Sequence, residues 1–495
     1  MSSVLAPPSD VERVLQLKTV REPGARAQML AAIRELGRDS GDFSMARLQR
    51  LIAVDEHFHT LLAFDQVEFL TRPGALSDVD RDFALNVQRI CLESANAFQR
   101  FLRNRASWAT SREALETMFR VTGLAINAIH GFVKWGYFLN EPGRTVPWKQ
   151  LHALFSLSES DGYSQVPFVL YAAQPGFKPS VQALYLRTLI LDMLNTGNLT
   201  RMQFEIADGW FSAWCNDYSL DTEFSPRQHL FFVDLASDSG MHLMRRESHG
   251  ESMRYVRADN LKTQIEEVQS GLRQGRPYGG HGGGALFPVE EHVALLAVIE
   301  KLYHSVLAGS DSRVDERTQF DDREVDVVMG IDRVMAKMHG LEEADSGLER
   351  WRVQDLSTRG YGLVVDRATS ESILLNGLVA LRNQASGSWI VCSVVRKLAN
   401  RVRGEMLIGL EVLSYRPIPV YLSATGGAEA AMALFLPGQD ANGKLDALLL
   451  QTRDFIAGSA FAIEIAEARY NVRMNRIIRK GADWIKARFE IESKA

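Results

Sequence analysis

The N-terminal half of the sequence repeats apolar residues at the spacing of amphipathic helices. In the clearest case, Ser77 to Asn104, Ser77 precedes Asp80 by three residues, as in a helix N-cap. The apolar residues that follow on one face are Phe83, Val87, Ile90, Cys91, Phe98, Phe101 and Leu102. Arg112 to Trp135 and Ser180 to Asn195 show similar patterns, with Pro-Gly breaks between helices. Residues 1–274 are therefore expected to form an α-helical bundle or an irregular solenoid without a recognisable repeat.

One segment of this helical region has a strand pattern. Between His229 and Val256 the runs LFFVDL, MHLMRR and MRYV are separated by polar, glycine-containing stretches. They predict two or three short strands, a small β insertion near residues 229–257. Arg245 and Arg246 lie within it and would suit either an acidic partner or a solvated strand edge.

A glycine-rich stretch follows the helical region. GRPYGGHGGG at residues 275–284 contains the spacing G-x-G-x-x-A of a dinucleotide-binding turn. Such a turn should follow a strand, whereas a predicted helix precedes this one, so a linker is favoured. Pro288 then begins a helix that runs through Leu307, and residues 275–310 are interpreted as linker and helix.

The next hundred residues change to strand periodicity. Six segments alternate apolar and polar residues or form short apolar runs: Val325 to Met329, Trp351 to Asp355, Tyr361 to Val365, Gly377 to Arg382, Trp389 to Arg396 and Met406 to Val412. Six short strands in so short a stretch predict a small closed β-barrel, because closure removes exposed edges. We expect this barrel to occupy residues 311–423.

Residues 424–495 repeat the strand pattern. The candidates are Ala430 to Leu436, Ala447 to Leu450, Ala460 to Ala466, Arg469 to Arg479 and Trp484 to Glu490, with a turn signal at DANG (440–443). A second, smaller unit resembling a degenerate barrel is expected, although Arg469 to Arg488 also fits a helical period. The basic residues of this segment would suit a solvated face or an acidic partner: Arg473, Arg476, Arg479, Lys480, Lys486 and Arg488.

Composition narrows the class of protein. A net charge of −5 argues against a general nucleic-acid binder. Cys91, Cys215 and Cys392 fit neither a disulfide framework nor a zinc site, which favours the reducing cytoplasm. The sequence shows no signal-peptide pattern and no apolar run of about 18 residues, the length a membrane span needs.

Two short motifs bracket the start of the predicted barrel. Asp355, Ser357 and Gly360 have the spacing D-x-S-x-x-G just before an apolar strand, and Arg313 and Arg317 have the spacing R-x-x-x-R upstream. The carboxylate can accept two N–H donors of a base, the hydroxyl can bind phosphate or cap a turn, and the glycine permits close approach. Alternatively, the residues from Asp355 to Gly360 form an Asx or Ser turn that only starts a strand, with solvated arginines nearby.

Together the two motifs resemble those of PilZ domains, bacterial receptors for cyclic di-GMP. The resemblance covers Arg313 to about Tyr421 and implies the same six-stranded barrel. It also implies cyclic di-GMP binding by Arg313, Arg317, Asp355, Ser357 and Gly360. The whole-chain layout resembles FimW-type receptors, which are linked to surface attachment and type IV pili.

The ligand's chemistry agrees with this assignment. Arginine can pair with guanine O6 and N7, bind phosphate or stack on a base, while Asp355 can accept from guanine N1–H and N2–H. If the arginine arm orders around the ligand, the helical region attached to it must shift relative to the barrel. The helical region is then expected to bind a protein partner.

The sequence departs from the usual PilZ pattern at the arm. Ser312 precedes Arg313 where a second arginine is common, and TQFDDRE between Arg317 and the first strand is long and acidic. Asp321 and Asp322 would compete for the arginines in the free protein. Arg323 is an alternative to either motif arginine.

Enzyme motifs are absent from the sequence, and no catalytic residue, metal or cofactor is expected. Glu56-His57-Phe58-His59 looks metal-like, but His57 and His59 would point to different faces of a helix. Two function classes remain. One is a cyclic di-GMP receptor in bacterial motility, pilus or surface-attachment control; the other is a PilZ-like interaction scaffold that binds no nucleotide.

Overall fold

The chain forms two compact units, residues 1–312 and 313–495, in a computed structural model. The structure describes residues 10–72, 76–139, 146–194, 197–226, 228–244, 250–278, 287–307, 318–343, 345–357, 359–382, 387–400, 405–424, 431–438, 446–465 and 468–494. The fold class is α+β: a helical unit with a small sheet, then a unit of two closed β-barrels.

The first unit is built mainly from helices that share one apolar core. These are α1 (Asp10–Val14), α2 (Pro23–Leu36), α3 (Met45–Thr71), α4 (Asp78–Arg103), α5 (Arg112–Phe138), α6 (Trp148–Ser160), α7 (Val181–Met193), α8 (Arg201–Trp214), α9 (Leu261–Arg273) and α10 (Val289–Leu307). Helix α10 follows Pro288, where the sequence predicts a helix start.

Helix α4 shows how the local sequence fixes an element. The hydroxyl oxygen of Ser77 accepts from Asp80 N at 3.1 Å, and the Asp80 carboxylate accepts from Ser77 N at 3.4 Å. This reciprocal cap satisfies two N–H groups that the helix leaves unpaired. The predicted apolar face of α4 is buried. At its start Phe83 meets Trp135 of α5 edge-on, with ring centroids 5.5 Å apart.

A four-stranded antiparallel sheet interrupts the helices. Its strands are β1 (Ser219–Asp221), β2 (His229–Asp234), β3 (His242–Leu243) and β4 (Met253–Arg257), in the order β1-β4-β2-β3. The sequence predicts the insertion but not β1, which is too short to show a pattern. Arg245 and Arg246 lie outside the described residues.

The second unit begins with the predicted six-stranded barrel. Its strands are β5 (Thr318–Met329), β6 (Glu349–Ser357), β7 (Gly360–Asp366), β8 (Leu378–Arg382), β9 (Trp389–Asn400) and β10 (Glu405–Ser414), closed in the order β10-β7-β6-β5-β8-β9. Two helices that the sequence pattern did not predict connect strands: α11 (Ile331–Met338) and α12 (Arg367–Ser372). Inside the barrel, Lys397 Nζ donates to the carbonyl oxygen of Ile373 at 3.1 Å, just after α12.

The first barrel strand is longer than the sequence indicates. TQFDDRE, interpreted as a spacer in the arm, forms the start of β5. Its pairing with β6 shifts register between Gln319 and Arg323, so an irregularity with polar residues hides the strand period. The side chains of Asp321 and Asp322 lie outside the described residues.

The last part of the chain is a complete second barrel. Its strands are β11 (Ile418–Ala424), β12 (Ala431–Leu436), β13 (Ala447–Gln451), β14 (Ala460–Ile465), β15 (Ala468–Lys480) and β16 (Trp484–Lys494), closed in the order β11-β12-β13-β16-β15-β14. Strand β11 belongs here, although its sequence was assigned to the end of the first barrel. The helical alternative for Arg469 to Arg488 is wrong, because β15 and β16 pair along this stretch.

The two barrels have the same strand connectivity. If the strands of each are lettered a to f in chain order, both rings pair a with b, b with c, c with f, f with e, e with d, and d with a. The second barrel therefore repeats the topology of the first and is not a reduced version of it.

An apolar cluster joins the barrels through one side of the first. It contains Val328, Ile331, Val334, Met335, Leu378, Ala380, Val391, Leu434, Leu436, Leu449 and Trp484. Trp484 Nε1 also donates to the carbonyl oxygen of Asn376 at 2.9 Å, and Ile331 N donates to Asp483 at 3.2 Å. The first barrel's buried contributors come from β5, β8, β9 and α11, whereas the motif strands are β6 and β7.

Candidate functional site

The β6–β7 hairpin brings the D-x-S-x-x-G residues together. Asp355 is opposite Gly362 and Ser357 is opposite Gly360 in the antiparallel register. The neighbouring residues Val353 and Leu363 belong to the barrel core. Along β7, Gly362 and Gly360 alternate with the core residue Leu363 and therefore face outward. The register shift between Val353 and Asp355 pairs Asp355 and Ser357 with these glycines, so both lie on the outer face.

Ser357 organises the turn between the two strands. Its hydroxyl oxygen accepts from Arg359 N at 3.4 Å and donates to the carbonyl oxygen of Gly360 at 3.5 Å. Both bonds are long, so the hydroxyl can exchange them for a ligand at small cost. The turn role expected of this serine is therefore observed.

Two glycines of β7 allow neighbouring groups to approach this strand closely. A Cβ at Gly360 would overlap the carbonyl oxygen of Leu410 on β10, and a Cβ at Gly362 would lie 2.5 Å from Asp355 Oδ1. Neither glycine has a positive φ, so space and not backbone conformation requires glycine here. Gly360 is part of the sequence motif, whereas the role of Gly362 appears only from the strand register.

The row that begins with Asp355 continues across the barrel surface. Gly362 is opposite Gly409 on β10, and Gly409 is opposite Arg396 on β9. A carboxylate and a guanidinium therefore flank two adjacent glycines on the same outer face. We call Asp355, Gly362, Gly409 and Arg396 the glycine row.

The surroundings of the glycine row differ on its two sides. One neighbouring row contains Val364 opposite Leu407, which is apolar. The other contains Gly360 opposite Glu411, and Glu411 forms an ion pair of 2.8 Å with Arg479 of the second barrel. The row thus has an apolar border and a charged border.

The arginine arm can be located only through its chain neighbours. Arg313 and Arg317 lie outside the described residues. Thr318, which directly follows Arg317, is opposite Leu356, and Gln319 is opposite Asp355. The chain therefore enters the barrel beside the D-x-S-x-x-G motif.

Arg323, the alternative arm residue, is in a different position. It is opposite Val353, on the face of β5 that carries Val325, and its guanidinium lies 5.2 Å from the centre of the Phe320 ring. Arg323 therefore belongs to the row of β5 residues that faces the barrel interior, whereas Asp355 belongs to a row that faces outward.

The second barrel has apolar residues at the positions that correspond to the motif. Counted from the hairpin, Leu434 and Leu449 correspond to Asp355 and Gly362, and Leu436 corresponds to Ser357. All three leucines are buried in the cluster between the barrels. The face that carries the motif in the first barrel is therefore a packing surface in the second.

A separate group of charged side chains lies inside the helical unit. Asp208 accepts from Arg187 Nε at 2.6 Å, Lys134 Nζ at 2.8 Å and His130 Nε2 at 2.8 Å, and Lys134 also pairs with Glu205 at 3.0 Å. Burial lowers the pKa of His130 to about 4 although Asp208 opposes this. The members come from α5, α7 and α8, so no local sequence pattern indicates the group.

Asp55 of α3 is a second buried carboxylate in this unit. Its Oδ2 accepts from the Tyr171 hydroxyl at 3.3 Å, while its Oδ1 has no hydrogen-bond partner among the described residues. Burial raises the pKa of Asp55 to about 7. The carboxyl group is therefore held largely protonated below neutral pH.

The two histidines of the metal-like sequence have separate partners. His57 Nε2 contacts the carbonyl oxygen of Leu17 at 2.9 Å, and His59 Nε2 lies 3.9 Å from Asp55. Over the described residues no group of His, Cys, Asp or Glu could hold a metal ion, and no helix is long and apolar enough to cross a membrane. Cys91, Cys215 and Cys392 are buried free thiols.

The helical region is similar to a known protein family. Residues 12–226 match the family described as the N-terminal domain of the cyclic-di-GMP receptor FimW. No curated protein and no solved structure matches the chain. The FimW-like layout that the sequence suggests is thus confirmed in this segment. Residues 12–226 are thus similar to the FimW N-terminal domain family, and two closed six-stranded barrels follow in the chain.

Proposed function

We propose that this protein is a cyclic di-GMP receptor whose first barrel is a PilZ-type domain. The observation that carries the proposal is the register of β5, β6 and β7. It places Asp355 over Gly362 and brings the residues just after Arg317 alongside Asp355. The family of the helical segment, named for a cyclic-di-GMP receptor, supports the same ligand.

The outer face offers what a guanine base requires. Asp355 accepts from N1–H and N2–H, a donor pair that adenine lacks. Gly360 and Gly362 keep the surface low, so a flat base can approach the backbone. Ser357 donates its hydroxyl to the ligand after releasing its long turn bonds.

The arginines supply the opposite charge. Arg313 and Arg317 pair with the phosphates or stack on a base, as planar guanidinium groups do. Arg317 is bonded to Thr318, which is opposite Leu356, so the arm joins the barrel beside the motif.

The output follows from the position of the arm in the chain. The arm joins the helical unit to the barrel, so ordering of the arm on the ligand changes the arrangement of the two. In this proposal the helical unit binds the protein partner, in the cytoplasm, and the pathway controls motility, pili or surface attachment. The protein has no catalytic role.

Titration calorimetry with cyclic di-GMP tests the proposal. The wild-type protein should bind, Asp355→Ala should bind roughly fivefold to 150-fold more weakly, and GTP should serve as the control ligand. Asp345→Ala is a matched control, because Asp345 is an exposed carboxylate that pairs with Arg382 on β8. An absence of wild-type binding, or equal affinities for wild type and Asp355→Ala, would favour the scaffold function.

A further inference from the structure

The glycine row has a charged group at each end. Asp355 on β6 and Arg396 on β9 are separated by Gly362 on β7 and Gly409 on β10. Neighbouring strands lie about 4.8 Å apart, so the two end residues are separated by about 14 Å. A purine ring bonded to Asp355 fits within this span, and the long Arg396 side chain can reach the ring from the other end.

The side chains at both ends already extend over the glycines. Both carboxylate oxygens of Asp355 lie within 2.9 Å of where a Cβ would stand on Gly362. From the other side, Arg396 Cβ and Cδ lie 2.9 and 3.7 Å from the corresponding position at Gly409. The carboxylate and the stem of the arginine therefore face each other across the row, and Arg396 is exposed.

We infer that Arg396 is a further ligand-binding residue, which contacts the guanine base held by Asp355. The inference rests on the proposed function. Asp355 accepts from the N1–H and N2–H edge. The O6 and N7 acceptors lie on the adjoining edge of the same base, at about a right angle to that contact, where the long Arg396 side chain can reach them from its end of the row. An arginine fork matches these two acceptors, the commonest specific contact to guanine. Because Gly362 and Gly409 have no side chains, the base can lie on their backbone once the Asp355 carboxylate and the Arg396 stem swing aside.

Arg396 is distinguished from the arm arginines by its position. It is fixed on a central barrel strand and makes the contact without movement of the arm. A lysine would keep the charge but lose the fork. The geometry therefore predicts that Arg396→Lys fails to restore binding, which a purely electrostatic role would not predict.

The first test measures affinity for cyclic di-GMP with Arg396→Ala, Arg396→Lys and Arg350→Ala. Arg350 is the matched control, an exposed arginine on β6, five residues from Asp355. Both Arg396 variants should bind roughly fivefold to 150-fold more weakly, and Arg350→Ala should bind as wild type does. Thermal melts of each variant establish that the barrels remain folded.

A second ligand identifies the contacted edge. A cyclic di-GMP analogue with 7-deazaguanine lacks the N7 acceptor but keeps the edge that Asp355 reads. Wild type should bind the analogue more weakly than cyclic di-GMP, whereas Arg396→Ala should bind the two alike. If wild type binds cyclic di-GMP and Asp355→Ala weakens it but folded Arg396→Ala does not, the Arg396 assignment alone is overturned. If wild type does not bind, the proposed function fails with it.

Discussion

Two glycines on one strand should have separable effects on folding and binding. Gly360 and Gly362 both lie on the outer face of β7, two residues apart. A methyl group at Gly360 would overlap a backbone carbonyl of β10, whereas at Gly362 it would meet only the Asp355 carboxylate. Gly360→Ala should therefore destabilise the barrel, and Gly362→Ala should chiefly impair ligand binding.

The magnitudes follow from what must move. At Gly360 the strand backbone must shift, an overpacking that costs about 1–3 kcal/mol and lowers Tm by roughly 2–12 °C in a unit of this size. At Gly362 the carboxylate can rotate away, for about 0.5–1.5 kcal/mol, partly offset by the lower chain entropy of alanine in the unfolded state. Displacing the carboxylate removes its contact with the base, which should weaken binding roughly fivefold to 150-fold.

Thermal melts and calorimetric titrations of both variants against wild type measure the two effects. Gly24→Ala is the control for a glycine-to-alanine change, because Gly24, at the start of α2, has open space around it. Gly387→Ala is less suitable, because Gly387 has a positive φ of 68° and any side chain there would be strained. A Gly360→Ala variant that melts at the wild-type temperature, or a Gly362→Ala variant that binds cyclic di-GMP with wild-type affinity, would contradict these expectations.

Three further predictions concern other parts of the chain. Leu434→Ala should cost about 2–5 kcal/mol of stability by opening a cavity between the barrels. The folded variant should keep wild-type affinity for cyclic di-GMP, because the apolar cluster around Leu434 does not include the motif strands β6 and β7. Thermal melts and titrations check the two effects. Because the folded-state pKa of Asp55 is raised to about 7, wild-type stability from this group falls as pH rises from about 4 to 7. Asp55→Asn should therefore gain stability relative to wild type over that range in urea unfolding, and a constant difference between pH 5 and pH 8 would disprove it. Arg317→Ala should leave Tm nearly unchanged but flatten the fall of affinity with ionic strength; an unaltered salt dependence would exclude a phosphate contact.

The sequence predicts strands and helices well where the period is regular. The six strands of the first barrel and the capped helix α4 each carry a local pattern that the fold keeps. Strand β11 and the start of β5 were misassigned because prolines in one and a polar, irregular register in the other obscure the alternation.

The candidate site could be predicted only in part. Asp355, Ser357 and Gly360 are close in sequence and form a recognisable motif. Gly409 and Arg396 join them through strand pairing, which depends on the barrel's register and leaves no local signature. The ion-pair group around Asp208 was missed for the same reason, since Lys134 and Asp208 are 74 residues apart.

The most direct test of the central claim compares cyclic di-GMP with cyclic di-AMP in calorimetric titrations of the full-length protein. The two ligands have the same phosphates and ring, and differ in the base edge that Asp355 is proposed to read. The account predicts measurable binding of cyclic di-GMP at a 1:1 or 2:1 ratio and little binding of cyclic di-AMP. Equal affinity for the two dinucleotides would contradict it, because an Asp355 contact to N1–H and N2–H cannot recognise adenine.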